Sequence, residues 1–158
     1  KDLIIRGGHN IDPAEIEEAL AGHEAVAFVG AIGQPDAHSG ELPCAYVELV
    51  AGADVSEADL LTYAKETVHE RAAHPKHIEI MSELPKTAVG KIFKPDLRKS
   101  AITRVYDAAL TKAGIDARVS SVVEDKKRGL VAQISGGASD EDLTHVLGAF
   151  TRPWERAE

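Results

Sequence analysis

Apolar positions along this chain recur with two periods, and the switches between the periods mark its elements. Lys1 to Arg6 carries Leu3, Ile4 and Ile5 and reads as a short strand. A helix follows: Asp12 is placed as N-cap, Pro13 at the first helical position, and Glu15 at capping-box spacing. Ile11 and Ile16 are placed to form a hydrophobic staple, and Gly22 is expected to end the helix in a left-handed conformation. Ala25 to Ile32 reads as a buried strand, Gln34-Pro35-Asp36 and Ser39-Gly40 as turns, and Leu42 to Val50 as the partner strand. Ser56 and Asp59 cap a second helix with Leu60, Leu61, Ala64 and Val68 on one face.

His77 to Met81 is a short strand, and Glu83 to Lys91 a loop. Pro95 opens a helix with Ile102, Val105, Tyr106, Ala109 and Leu110 on one side, closed by Gly114. Val119 to Val123 and Leu130 to Ile134 form a hairpin, and Ser139 with Asp142 caps a last helix bearing Leu143, Val146, Leu147 and Phe150. Tyr63, Tyr106, Phe28 and Phe150 fall on apolar faces and are expected in the core. The tail from Thr151 onward has no period, and Trp154 is the residue that could pin it. The order predicts an α+β fold: small antiparallel sheets, an N-terminal hairpin plus a three-stranded sheet, flanked by helices and followed by an α-β-β-α extension.

Composition agrees with a globular chain: 44% hydrophobic and 28% charged residues in 158, with a net charge of −8. That acidity argues against a nucleic-acid partner, and the longest apolar run is too short to span a bilayer. The single cysteine, Cys44, excludes an internal disulfide and a cysteine zinc site, and reads as a small buried hydrophobe. His69, His74 and His77 lack a carboxylate at ligand spacing, so no metal site is expected. The chain opens on Lys1 without a signal-peptide pattern and reads as a cut through a larger, cytoplasmic protein. Charge is unevenly placed. No Lys or Arg occurs from Gly7 to Ala64, where there are eleven acids; five basic residues then fall between Lys86 and Lys99.

Two segments carry candidate chemistry. In Lys1-Asp2-Leu3-Ile4-Ile5-Arg6-Gly7-Gly8-His9-Asn10-Ile11, the glycine pair is either a tight strand-to-helix turn or a place where a ligand approaches backbone. In Leu84-Pro85-Lys86-Thr87-Ala88-Val89-Gly90-Lys91-Ile92, Gly90-Lys91 is either a solvated basic loop or an ammonium presented to phosphate. The spacing is not that of a Walker A loop.

Taken together and in this order, the segments resemble the small C-terminal domain of the adenylate-forming superfamily. The first motif matches through Lys1, Asp2, Ile4, Gly7, Gly8, Ile11, Pro13, Glu15, Ile16 and Glu17. The last matches through Leu84, Pro85, Thr87, Gly90, Lys91, Ile92, Leu97 and Arg98. Between them, His23-Glu24-Ala25-Val26, Gly33-Gln34-Pro35-Asp36 and Gly40-Glu41 are also similar. The resemblance covers roughly residues 1–100, the expected mobile domain, and leaves 101–158 as an extension of unassigned role. Lys94 stands where the family usually has Arg.

What the resemblance implies is a ligase acting in two steps, as in fatty acid metabolism. A carboxylic acid attacks ATP, accompanied by Mg2+, to give an acyl-adenylate. Coenzyme A then takes the acyl group as a thioester. Lys91 would be the catalytic lysine of adenylation, with Thr87 and Gly90 supporting its loop. Lys1 and Asp2 would be the hinge, and Gly7, Gly8, His9 and Asn10 would line the pantetheine channel. The expected partner is the large N-terminal adenylation domain of the same protein, without which this domain is expected to be inert. Alternatives are an adenylation domain that loads a carrier protein and a non-catalytic ferredoxin-like binding module.

Overall fold

The computed structural model describes residues 2–157, so the hinge expectation at Lys1 lies outside the described residues. The fold is α+β and divides into two compact units: residues 1–33 with 41–97, and residues 34–40 with 98–158.

In the first unit the N-terminal strand turns back on itself. β1 (Ile4–Arg6) and β2 (His9–Ile11) pair antiparallel, with Ile4 opposite Ile11 and Arg6 opposite His9. Gly7 and Gly8 therefore connect two strands, not a strand and a helix. Gly7 has φ +60 and Gly8 does not have a positive φ, the pattern of a type II′ turn, which takes glycine at its first central position. The hairpin is the edge of a five-stranded sheet ordered β2-β1-β4-β3, in which β5 (Ile78–Met81) runs parallel to β4 (Gly40–Leu49).

Helix α1 (Pro13–Ala21) starts as its sequence dictates, with the Asp12 carboxylate accepting from Ala14 N at 3.0 Å. Its end differs. Gly22 is right-handed (φ −73, ψ −10); its N–H bonds the Ala19 carbonyl and the His23 N–H bonds the Leu20 carbonyl, so no left-handed residue is needed. Helix α2 (Glu57–Thr67) is capped by Ser56 Oγ accepting from Asp59 N. Ile16, Leu20, Leu60, Ala64 and Ile78 pack with the sheet into one core. Cys44 lies buried in β4.

Strand β3 (Val26–Asp36) runs four residues beyond the expected Ile32. Gln34-Pro35-Asp36 is therefore strand, not turn. β3 ends the row of strands, so proline's missing N–H breaks no ladder on that side. The reversal falls next, with Asp36 Oδ2 accepting from His38 N and Ser39 N. Phe28, expected in the core, is 43% exposed. Its ring instead lies under an ammonium, as described below.

The second unit has its own core. Helix α3 (Lys94–Lys112) begins in the first unit and continues here, and Gly114 follows with φ +71. Strands β6 (Arg118–Asp125) and β7 (Gly129–Ser135) form the expected hairpin, whose turn is held by Asp125 Oδ1 accepting from Lys127 N and Arg128 N. Helix α4 (Asp140–Leu147) is capped by Ser139. Within the tail, β8 (Trp154–Arg156) adds to β7 in parallel, with Trp154 opposite Ala132. Tyr106, fully buried, donates its hydroxyl to Arg152 O at 2.8 Å, which holds the chain leading into β8. No helix among the described residues is long and apolar enough to cross a membrane.

Trp154 is the chain's one tryptophan and packs against the second core, so its fluorescence reports that unit. Leu147 is fully buried there. Leu147→Ala should lower unfolding stability by about 2–5 kcal/mol, seen as a Trp-fluorescence transition at lower urea concentration.

Candidate functional site

The lysine loop is a small hairpin built around a glycine. Lys86 and Ile92 pair as an antiparallel bridge, Phe93 N donates to Pro85 O at 2.8 Å, and Thr87 N donates to Lys91 O at 2.7 Å. The tip closes with Gly90 N donating to Thr87 O at 2.9 Å. Gly90 has φ +89, a left-handed conformation that would cost a residue with a Cβ about 1–2 kcal/mol. The Thr87 hydroxyl accepts from Lys91 N at 3.2 Å. The T-x-x-G-K spacing is thus the spacing of a three-residue hairpin loop: Thr87 holds both the N–H and the carbonyl of Lys91, and Gly90 supplies the left-handed turn that lets the loop close.

The stem of this loop is tied to β4. Glu48 Oε1 accepts from Leu84 N at 2.9 Å and from Lys86 Nζ at 2.8 Å, and both Lys86 and Glu48 side chains are mostly buried. The same ammonium lies 4.4 Å from the centroid of the Phe28 ring, a cation–π contact that explains why a half-exposed phenylalanine stands on β3. The Lys86 ammonium, and after it the Leu84 N–H, hold the Glu48 carboxyl below its ordinary value of 4.5.

Lys94 is also engaged. Its ammonium is 2.5 Å from Asp2 Oδ2 and 2.8 Å from Glu17 Oε2, and Glu17 Oε2 accepts from Ala31 N as well. The lysine that replaces the expected arginine therefore bridges two carboxylates from different elements. Asp2 is fastened to the start of α3 through it. Two of the three lysines in this stretch of the first unit are thus spent on structure. Lys91 is exposed, and its side chain makes no bond with the described residues.

The glycine hairpin forms a second cluster. Gly7, Gly8, His9 and Asn10 are all exposed. A Cβ built on Gly7 or Gly8 would meet nothing within 4 Å, so no packing within the domain demands a glycine at position 8. Two contacts fasten the hairpin to the segment around the 3-10 turn Arg71–Ala73. Arg6 Nη1 donates to Ala72 O at 2.7 Å, and His9 Nε2 bonds Glu70 Oε2. The sequence picked out His9; it offered no sign of its partner, because Glu70 lies 61 residues away.

The same segment borders a feature that sequence reasoning missed, a cleft of about 540 Å³ lined by Leu61, Lys65, Arg71, His74, Pro75 and Lys76. Three permanent cations and a histidine surround it. The signal was present as a basic run after a long acidic stretch, but it is split between α2 and the loop that follows. His74 Nε2 is engaged with Val68 O at 2.8 Å, and His77 Nε2 lies 3.5 Å from Glu79 Oε1. Among the described residues no three His, Cys, Asp or Glu side chains are grouped to hold a metal ion.

Residues 15–91 match the AMP-binding enzyme C-terminal domain. The chain is 44% identical over 158 residues to the marinolic acid–CoA ligase of Pseudoalteromonas sp. (strain SANK 73390), covering 99% of this chain and 24% of that protein. It is 45% identical over 94 residues to the long-chain-fatty-acid–CoA ligase of Bacillus subtilis (strain 168), covering 60% of this chain and 17% of that protein. Among solved structures it is similar to apo MatB from Rhodopseudomonas palustris, with a TM-score of 0.58 and 35% identity over 62% of this chain and 19% of that one. The chain therefore spans a quarter or less of the length of these relatives. Of the three, only the marinolic acid ligase matches through the second unit.

A carboxyl held low in the folded state stabilises fully above its ordinary value, and that contribution is lost as pH falls through the lowered one. Glu48→Gln should therefore lower the urea midpoint at neutral pH. The gap between wild type and variant should narrow as pH drops below 4.5, the ordinary value for this group.

Proposed function

The chain carries the C-terminal domain of the adenylate-forming superfamily, and from that premise we propose that it is the mobile domain of an acyl-CoA ligase. In this reading Lys91 serves the first half-reaction and the Gly7-Gly8 hairpin serves the second. The carrying observation is the contrast among the three lysines of this segment: Lys86 and Lys94 are held by carboxylates, while Lys91 closes the loop of a pinned hairpin with its ammonium uncommitted among the described residues.

The chemistry of adenylation asks for such a group. A carboxylate and an α-phosphate are both anionic, and a fixed cation lowers their repulsion and stabilises charge in the transition state. Lys91 acts as a charge and must stay protonated. The hairpin supplies the positioning, because a backbone bound to Thr87 at both its N–H and its carbonyl limits where the side chain can start. Mg2+ would arrive with ATP.

For the thiol step, the open backbone surface at Gly7 and Gly8 suits the wall of a narrow channel, where a side chain would intrude. Asn10 and His9 flank that wall. The cleft lined by Lys65, Arg71, His74 and Lys76 suits the phosphates of coenzyme A, which supports coenzyme A over an acceptor without a nucleotide. The relatives are named as CoA ligases, which supports the same acceptor.

Asp2 is the anchored end of the hinge and Lys1 the pivot beside it. Acyl specificity and the ATP pocket belong to the large domain that this domain would move against. The isolated chain is accordingly expected to be inert.

The test is acid-dependent ATP–pyrophosphate exchange by the full-length ligase. Lys91→Ala should reduce exchange by about 10²–10³-fold, the usual loss for a transition-state charge contact. Lys91→Arg, which keeps the charge in another shape, should recover part of it. Exchange unchanged in Lys91→Ala would refute the assignment.

A further inference from the structure

In the thiol-transfer reading above, on which this inference rests, a thiol must lose its proton as it attacks. A thiol is a poor nucleophile beside its thiolate, so a base at the channel wall would speed the step. The first residue after the glycine turn is His9. Its imidazole is half exposed and held from one side only: Nε2 bonds the Glu70 carboxylate, and Nδ1 makes no bond among the described residues. The hairpin that carries it cannot drift from Glu70, because Arg6, its cross-strand neighbour, is bonded to Ala72 O two residues further along. Glu70 and Arg6 are the charged groups that these contacts place beside the ring.

We propose that His9 is the general base of thioester formation and that Glu70 is its positioning residue. The Glu70 carboxylate accepts Nε2–H, which leaves the lone pair on Nδ1, and it stabilises the imidazolium once formed. Nδ1 takes the S–H proton of the pantetheine thiol. The sulfur electron pair forms the C–S bond at the acyl carbonyl, and the C–O bond to the adenylate breaks with its electrons leaving on AMP. The imidazolium then releases its proton to solvent. Acyl-adenylate and thiol give thioester, AMP and one proton, so no further reactant is required. Histidine and glutamate are 61 residues apart, and only the fastening of the hairpin to the 70–72 segment makes them a pair.

The experiment uses the full-length ligase with preformed acyl-adenylate and coenzyme A, followed over a single turnover. His9→Ala should slow thioester formation by about 10²-fold or more, the usual contribution of a positioned base, with pyrophosphate exchange unchanged. Added imidazole should restore much of the lost rate, which a purely structural role would not allow. Glu70→Gln should slow the step by a smaller factor and add nothing in the His9→Ala background, because it acts only through the imidazole. An unchanged rate in His9→Ala, a loss that imidazole does not restore, or an equal loss of exchange overturns the assignment. Failure of the wild-type enzyme to transfer the acyl group to coenzyme A would instead overturn the thiol-transfer reading, and the assignment with it.

Discussion

The lysine loop depends on one carboxylate. Glu48, near the end of β4, accepts from the Leu84 backbone and the Lys86 ammonium at once, and so fixes both the entry to the loop and the first residue of its stem. Everything beyond follows from local geometry: the Lys86–Ile92 bridge sets the stem, and Thr87 and Gly90 set the tip. A largely buried ion pair of this kind contributes little net stability over an apolar pair, but breaking it leaves an uncompensated charge. Its value here is positional. Phe28 completes the arrangement by offering its ring face to the same ammonium, so that a half-exposed aromatic residue has a defined task.

A second set of charges defines where the chain enters the domain. Lys94 joins Asp2 to Glu17, and Glu17 also accepts the Ala31 N–H of β3. The segment beside the proposed pivot is thereby bound to helix α1 and strand β3. The glycine hairpin is fastened separately, through Arg6 and His9 to the segment around residues 70–72. The two proposed active elements, the Lys91 loop and the Gly7-Gly8 turn, thus share the sheet through β4 but are fastened by different side-chain contacts.

Much of this was legible in the sequence for a physical reason: the signals were local. Asp12, Ser56 and Ser139 cap the helices they were expected to cap, because an N-cap depends on residues two or three positions away. The T-x-x-G-K spacing stood out as a motif of the family the chain resembles; that it closes a hairpin depends on the Lys86–Ile92 pairing, which loop composition alone does not reveal. What failed depended on distant partners. Gln34-Pro35-Asp36 has turn composition but lies on an edge strand, where pairing with β4 overrides it. Trp154–Arg156 has too short a pattern to announce a strand, and becomes one by adding to β7. Phe28 follows the apolar face of its strand in sequence, yet its neighbour in space is a lysine 58 positions later. Glu70 and the cations of the basic cleft were missed in the same way, since nothing in their spacing reveals what they face.

If one domain supplies separate groups to separate half-reactions, Lys91→Ala of the full-length ligase should lose the first and keep the second. The measurement is the single-turnover rate of thioester formation from preformed acyl-adenylate and coenzyme A. The rate should be close to that of wild type, because none of the side-chain contacts that hold the glycine hairpin and His9 involves Lys91. A loss comparable to that expected in adenylation would contradict it, and would show that Lys91 holds the domain together or serves both steps.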